Sequence, residues 1–170
     1  MSGYHKTAGY LNMDVQLFRI DDRLIHGQVV LGWAKYLESR SIVLCDDAVA
    51  DNEWERELYL SCVPADLETL ILNIEQASEY LHNGIKYPDR TIVLVKSPGE
   101  VVLLAEMGFL PSKINVGGIH FAEDRKRYLS YLFMNDSEVA QLKALAEKGC
   151  RITCQDVPTG KKHTLEEILR

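Results

Sequence analysis

His26 stands in the run Asp21-Asp22-Arg23-Leu24-Ile25-His26-Gly27-Gln28, three residues after an arginine and directly before a glycine. A neutral imidazole is nucleophilic and about half ionised near pH 6.5, so it can accept a phosphoryl group at cellular pH without a separate base. Arg23 offers a fixed charge with bidentate geometry for phosphate oxygens. Asp21 or Asp22 can hold the ring tautomer, orient Arg23 or cap the turn, and the residues alone leave these three roles open. The plainer reading makes His26 a buried or capping histidine and Asp21-Asp22-Arg23 a solvated turn with a local ion pair.

The neighbouring segments give the turn a physical setting. Val15–Ile20 is an apolar run that reads as a strand, and Gln28–Glu38 reads as a helix. His26 therefore sits at a strand-to-helix turn. The amino end of the helix carries partial positive charge and unpaired N–H groups, at about Gly27 to Val29, that can bond phosphate oxygens. Gly27 has no side chain to block that approach. Gly27 and Gln28 are thus the expected backbone cradle.

Beyond this turn, strand-like runs alternate with helical patterns. The strands are expected at Ser41–Cys45, Thr69–Asn73, Thr91–Lys96, Lys113–Val116, Tyr128–Met134 and Arg151–Asp156, making seven with the first. Helices are expected from an Asp51 cap to Cys62, over Ile74–His82, from Pro98 to Met107, from an Asp136 or Ser137 cap to Lys148, and over His163–Leu169. This alternation predicts an α/β single domain, a mostly parallel seven-stranded open sheet with helices on both faces. Near-continuous apolar strands such as Ser-Ile-Val-Leu-Cys fit burial on both sides. In such sheets ligands bind beyond the carboxyl ends of the strands, where the winding switches direction. The candidate site is then Asp21 to Gln28, Asp46-Asp47, Lys96-Ser97 and Gly117-Gly118-Ile119-His120.

Composition narrows the function classes. With 46% hydrophobic and 26% charged residues, the chain is an ordinary globular one rather than a disordered or fibrous one. A net charge of −6 argues against a broad nucleic-acid footprint. No apolar run reaches the roughly 20 residues that span a bilayer. Residues 1–12 show no convincing secretion signal and read as a flexible N-terminal extension ahead of a domain at 13–170. Cys45, Cys62, Cys150 and Cys154 then read as reduced thiols filling apolar space. Cys150 and Cys154 lie about 13 Å apart along a strand, too far for a disulfide or a shared metal.

Other candidates have competing readings. Asp46-Asp47 can bind a metal as in a receiver domain with Lys96 as partner, but Asn73 and Ile74 stand where that domain needs an aspartate. Loop capping is the simpler role for the pair. Lys96 and Ser97 can contact phosphate, or be a solvated charge and a helix cap before Pro98. Gly117-Gly118 forms either an anion-binding turn or a plain tight turn. Trp33 and Trp54 read as core residues. Leu24 and Ile25 either dock a partner or anchor the turn in the core. A non-catalytic anion- or nucleotide-binding regulator is the alternative function class. It lacks the motifs G-x-x-x-x-G-K-[ST] and G-x-G-x-x-G.

The run Arg19-Ile20-Asp21-Asp22-Arg23-Leu24-Ile25-His26-Gly27-Gln28-Val29 resembles the phosphorylation-site signature of the enzyme IIB components of the bacterial phosphotransferase system, mannose/fructose/sorbose family. Ile42-Val43-Leu44-Cys45-Asp46-Asp47, Val95-Lys96-Ser97-Pro98 and Ile114-Asn115-Val116-Gly117-Gly118 resemble its later segments, so the likeness covers about Met13 to Arg170. The resemblance implies a cytoplasmic phosphocarrier in sugar uptake, associated peripherally with a membrane permease. It implies that His26 takes a phosphoryl group on Nδ1 from a phosphohistidine of a IIA partner. The group then passes to a sugar hydroxyl as membrane components IIC and IID import the sugar. No metal and no organic cofactor is implied. The sugar and the oligomeric state are not readable, and a homodimer stays open.

Overall fold

The computed structural model describes residues 14–27 and 32–170, together with the backbone of 5–7 and 10–12. Strands β1 (His5–Thr7) and β2 (Tyr10–Asn12) pair antiparallel, separate from the main sheet. The main sheet is built from β3 (Leu17–Ile20), β4 (Ser41–Cys45), β5 (Glu68–Leu72), β6 (Thr91–Val95), β7 (Lys113–Val116), β10 (Arg151–Cys154) and β11 (His163–Thr164). Its order is β11-β10-β7-β3-β6-β4-β5, and only β11 runs antiparallel to its neighbour. The expected seven-stranded, mostly parallel sheet is therefore present.

Its membership differs from the expectation in one place. Tyr128–Met134 is not a sheet strand. It folds on itself as a hairpin of β8 (Lys126–Leu129) and β9 (Leu132–Met134), turning at Ser130 and Tyr131. The seventh strand is instead β11, in a stretch expected to be helical. The chain reverses at Val157 to Gly160, where the Gln155 side-chain amide donates to the carbonyls of Pro158 (3.0 Å) and Gly160 (2.9 Å). This reversal returns His163 and Thr164 alongside β10, and Thr164 then caps the short helix α6 (Leu165–Ile168).

Most helices fall where capping chemistry places them. Helix α3 (Ile74–Asn83), α4 (Pro98–Glu106) and α5 (Asp136–Glu147) each begin with a reciprocal capping box, from Asn73, Ser97 and Asn135. Gly84 and Gly108 take positive φ just past the ends of α3 and α4. After β4, Asp46 caps an additional short helix α1 (Asp47–Ala50), and Asn52, rather than Asp51, caps α2 (Glu53–Ser61). The expected Gln28–Glu38 helix lies partly outside the described residues, with helical backbone at 27 and 32–36.

Alternation along the strands divides the core between the two sheet faces. Phe18, Ile20, Val43, Cys45, Val93 and Val95 pack with Ala77, Leu104 and Leu142 of α3, α4 and α5. Ile42, Leu44, Ile92 and Leu94 pack with Trp33, Ala34, Leu24 and Ile25. Arg19 lies between Phe18 and Ile20 in β3, so the same alternation turns it to the second face, where its guanidinium lies 4.9 Å from the Trp33 ring.

Candidate functional site

Strand β3 is central, and its two neighbours create the switch in winding. The chain leaves β3 toward β4 on one side, whereas β7 continues toward β10 on the other. The carboxyl ends of β3 and β7 thus border the crevice where sheets of this kind hold ligands. The loops meeting there are 21–27 and 117–121. Backbone bonds join them, from Gly117 N to Ile20 O (2.7 Å) and from Asp22 N to Gly118 O (2.9 Å).

Beneath the crevice lies a buried charge cluster. Asp21 and Arg19 are fully buried, with Arg19 Nη2 2.8 Å from Asp21 Oδ2. Arg23 reaches the same carboxylate through Nε (2.8 Å) and Nη2 (2.7 Å), and its Nη2 also meets Asp156 Oδ1 at 2.9 Å. Gly118 N adds a bond to Asp21 Oδ2 at 3.2 Å. Arg19 donates further to Asn115 Oδ1 and to the carbonyls of Gln155 (2.9 Å) and Asp156 (2.8 Å). The Asp156 carbonyl also accepts from Trp33 Nε1 at 3.1 Å.

These contacts set the protonation states. Burial works to raise the Asp21 carboxyl, but the Arg23 hydrogen bonds and the charges of Arg19 and Arg23 outweigh it and hold Asp21 below the ordinary carboxylate value. Burial pulls the Arg19 guanidinium below its usual value, which starts so high that the group stays charged. Hydrogen bonding to Asp21 raises Arg23. Gly117 must be glycine for steric reasons, because a Cβ there would overlap the Arg19 guanidinium and the Asp21 carboxylate.

The turn carrying His26 rests on this base. Leu24 N bonds Asp21 O (3.0 Å) and His26 N bonds Leu24 O (2.9 Å). Leu24 adopts φ 56°, a left-handed conformation that costs a non-glycine residue about 1 kcal/mol or more. Burial of its side chain offsets that cost. Leu24 and Ile25 are 4% and 3% exposed and pack with Trp33 and Leu44, so they anchor the turn in the core, and the docking role is set aside. With both neighbours turned inward, His26 and Gly27 are exposed at the rim. Among the described residues, no side chain stands within 4 Å of where a Gly27 Cβ would lie, and Gln28 is outside them.

Asp22 engages a different histidine. Its carboxylate accepts from His120 Nδ1 (2.6 Å) and from His120 N (2.7 Å). His120 O in turn accepts from Arg125 Nη1 (2.9 Å), and Arg125 forms a fork with Glu138 at 3.1 and 2.6 Å. Lys96 and Ser97 sit apart from this arrangement. Ser97 caps α4, bonding Gly99 N and Glu100. Lys96 is exposed and borders a recess with Asp46, Asp47 and Glu100. Asp46 and Asp47 are both caps, accepting from Val49 N (2.9 Å) and Ile74 N (2.8 Å). Trp33 is core as expected, but Trp54 is 70% exposed because α2 buries no residue.

Sequence reasoning missed Arg19, Asn115, Asp156 and the Asp22–His120 pair. One signal was available: Arg19 and Asn115 are polar residues inside apolar strands, and they are register partners across β3 and β7.

Comparison with known proteins agrees with this picture. Residues 15–170 match the family model described as the PTS system sorbose subfamily IIB component. The fructose-specific EIIB component of Bacillus subtilis is 26% identical over 93% of this chain and 97% of its own length. The mannose-specific EIIAB component of Escherichia coli is 26% identical over 92% of this chain and 49% of its own length. The IIBSor domain of the sorbose permease from Klebsiella pneumoniae superposes with TM-score 0.82 at 25% identity, covering 92% of this chain and 96% of that one. The chain therefore belongs to the sorbose-subfamily IIB components of the phosphotransferase system, within the mannose/fructose/sorbose family of sugar transport.

Proposed function

We propose that this chain is a phosphocarrier that accepts a phosphoryl group on His26 from a phosphorylated IIA component and passes it to a sugar hydroxyl. The observation that carries this reading is the exposed His26 on a turn pinned from below by Leu24 and Ile25, at the crevice between β3 and β7. A relay between two partners needs a nucleophile that both can reach, and a rim position provides it.

Arg23 is the phosphate-stabilising cation in this reading. Its contacts to Asp21 and Asp156 use Nε and Nη2, so Nη1 is committed to neither carboxylate. Five N–H donors let a guanidinium hold its structural partners and still meet a phosphoryl oxygen. Asp21 and Asp156 balance the two guanidiniums of the cluster, which tempers the pull of Arg23 on the resting phosphoenzyme. A carrier that must pass its cargo onward benefits from that restraint. The exposed Gly27 amide, at the start of the helical backbone, supports a second contact, and the further contact proposed for Gln28 N falls outside the described residues. Asp21 orients Arg23, and Asp22 positions the facing loop. Ser97, held by its cap bonds, and the exposed Lys96 are secondary candidates at the neighbouring strand end.

Phosphoryl transfer of this kind needs positioning and charge stabilisation, and in this reading these residues supply both. The EIIAB relative, whose name joins IIA and IIB, supports IIA as donor. Among the described residues no helix is long and apolar enough to cross a membrane. The proposed working place is the cytoplasmic face of a permease formed by IIC and IID. Relatives named for fructose, mannose and sorbose do not select one sugar. The test is transfer from the phosphorylated protein to a panel of these sugars in membranes holding the cognate IIC and IID. Sugar phosphate is the expected product, and its absence from every pairing contradicts the carrier role.

A further inference from the structure

We propose that His120 is the proton acceptor for the sugar hydroxyl in the second transfer step, with Asp22 as its positioning residue. The inference rests on the carrier reading of His26 given above.

His120 is 69% exposed at its side chain, yet it is tied down at its N–H, its Nδ1 and its carbonyl. One Asp22 carboxylate takes both its backbone N–H (2.7 Å) and its Nδ1 (2.6 Å). Its carbonyl is gripped by Arg125, which Glu138 of α5 fixes in turn. On either side, Asp22 N bonds Gly118 O and Ile119 N bonds Tyr131 O. An exposed ring ordinarily gains nothing from such restraint, because fixing a side chain costs conformational entropy. The restraint is useful if the ring must be aimed.

The chemistry of the pair follows from the donor inventory. A carboxylate accepts only, so in the neutral ring the proton sits on Nδ1 and the lone pair on Nε2. Nε2 is the nitrogen not engaged by Asp22. Asp22 belongs to the turn that ends in His26, so the base and the phosphoryl acceptor are fixed to one loop. Beside His120 and Arg23 is an open recess of about 270 Å³, bordered also by Phe121, Ser130, Tyr131 and Phe133. Phe121 is 68% exposed and braced edge-on by Phe133 at 5.9 Å. An aromatic face next to a hydroxyl, an imidazole and a guanidinium matches the mixed character of a sugar ring.

The two steps of the relay differ in their proton inventory. When a phosphohistidine of IIA gives its group to His26, one P–N bond breaks and another forms, and no hydroxyl proton is released. When His26 gives the group to sugar, the P–N bond breaks with its electron pair returning to the His26 ring. A P–O bond forms, and the hydroxyl proton moves to His120 Nε2. The resulting imidazolium is balanced by Asp22. A positioned base is therefore needed in the second step and idle in the first.

The experiment measures both steps for wild type, His120→Gln and Asp22→Asn, using phosphorylated IIA as donor and membranes containing the cognate IIC and IID with fructose, mannose and sorbose. For His120→Gln, phosphorylation of the protein by IIA proceeds at the wild-type rate. Sugar phosphorylation falls about 10²-fold or more, in kcat rather than KM. Asp22→Asn loses only about 10-fold in the sugar step, since the base is still there but less firmly aimed. Sugar transfer by His120→Gln at the wild-type rate overturns the inference while leaving the carrier role intact. Equal losses in both steps also overturn it, because they mark a structural role. A wild-type protein that takes no phosphate from IIA overturns the carrier reading and the inference together.

Discussion

Replacing Asp21 with Asn isolates the energetic weight of the buried cluster. The substitution keeps the side-chain volume and removes one charge. Wild-type Asp21 is fully buried and is shared by Arg19, Arg23 and Gly118 N. In the variant, Arg19 stays at 0% exposure with only neutral acceptors around it. Breaking a buried pair by removing one partner costs about 3–5 kcal/mol. Arg23 adds little to that figure, since its side chain is 19% exposed and keeps Asp156. Asp156→Asn is the internal control. Its side chain is 31% exposed and its carbonyl contacts survive the change, so the expected cost is about 1 kcal/mol or less. Against a total stability of about 5–15 kcal/mol, only the Asp21 change is severe.

Urea unfolding with an unchanged m-value measures both variants. pH supplies a second readout. The Asp21 carboxyl is depressed in the folded state, so its stabilisation is complete above the unfolded value of about 3.9 and is lost as pH falls through the lower folded value. Wild type should therefore lose stability steeply below about pH 4, and Asp21→Asn should lack that component of the acid limb. A cost for Asp21→Asn no larger than for Asp156→Asn would refute this account of the cluster.

Three further outcomes are expected. Gly117→Ala should cost about 1–3 kcal/mol because the new methyl group meets Arg19 and Asp21, whereas Gly27→Ala, which meets none of the described residues, should change stability by about 0.5 kcal/mol or less, both read by urea unfolding. Cys62 should be the one thiol that reacts rapidly with a disulfide reagent in the native protein, and all four should react after unfolding, because Cys45, Cys150 and Cys154 are buried and burial pushes their thiols up to about 12. Tyr131→Phe should be neutral or stabilising by about 1 kcal/mol in thermal unfolding, since its buried hydroxyl has no hydrogen-bond partner among the described residues.

The sheet was legible because strands buried on both faces leave continuous apolar runs, as in Ser41–Cys45 and Thr91–Val95. Helix starts were legible because Asn73, Ser97 and Asn135 carry capping chemistry locally. The hairpin β8–β9 was hidden because Tyr128–Met134 turns without glycine, proline or asparagine. Strand β11 was hidden because its pairing depends on a reversal held by the Gln155 side chain. At the site, His26 and Arg23 announced themselves through spacing. Their supports did not, since Asp156 and His120 lie 133 and 98 residues from Arg23 and Asp22, and only the sheet order brings them together.

The most direct test of the account is the site of phosphorylation. Wild type and His26→Ala are incubated with phosphorylated IIA, and the intact mass of each is followed before and after brief acid treatment. The account predicts one acid-labile phosphoryl group on wild type and none on His26→Ala. A His26→Ala protein that gains the same acid-labile group at the wild-type level would contradict it.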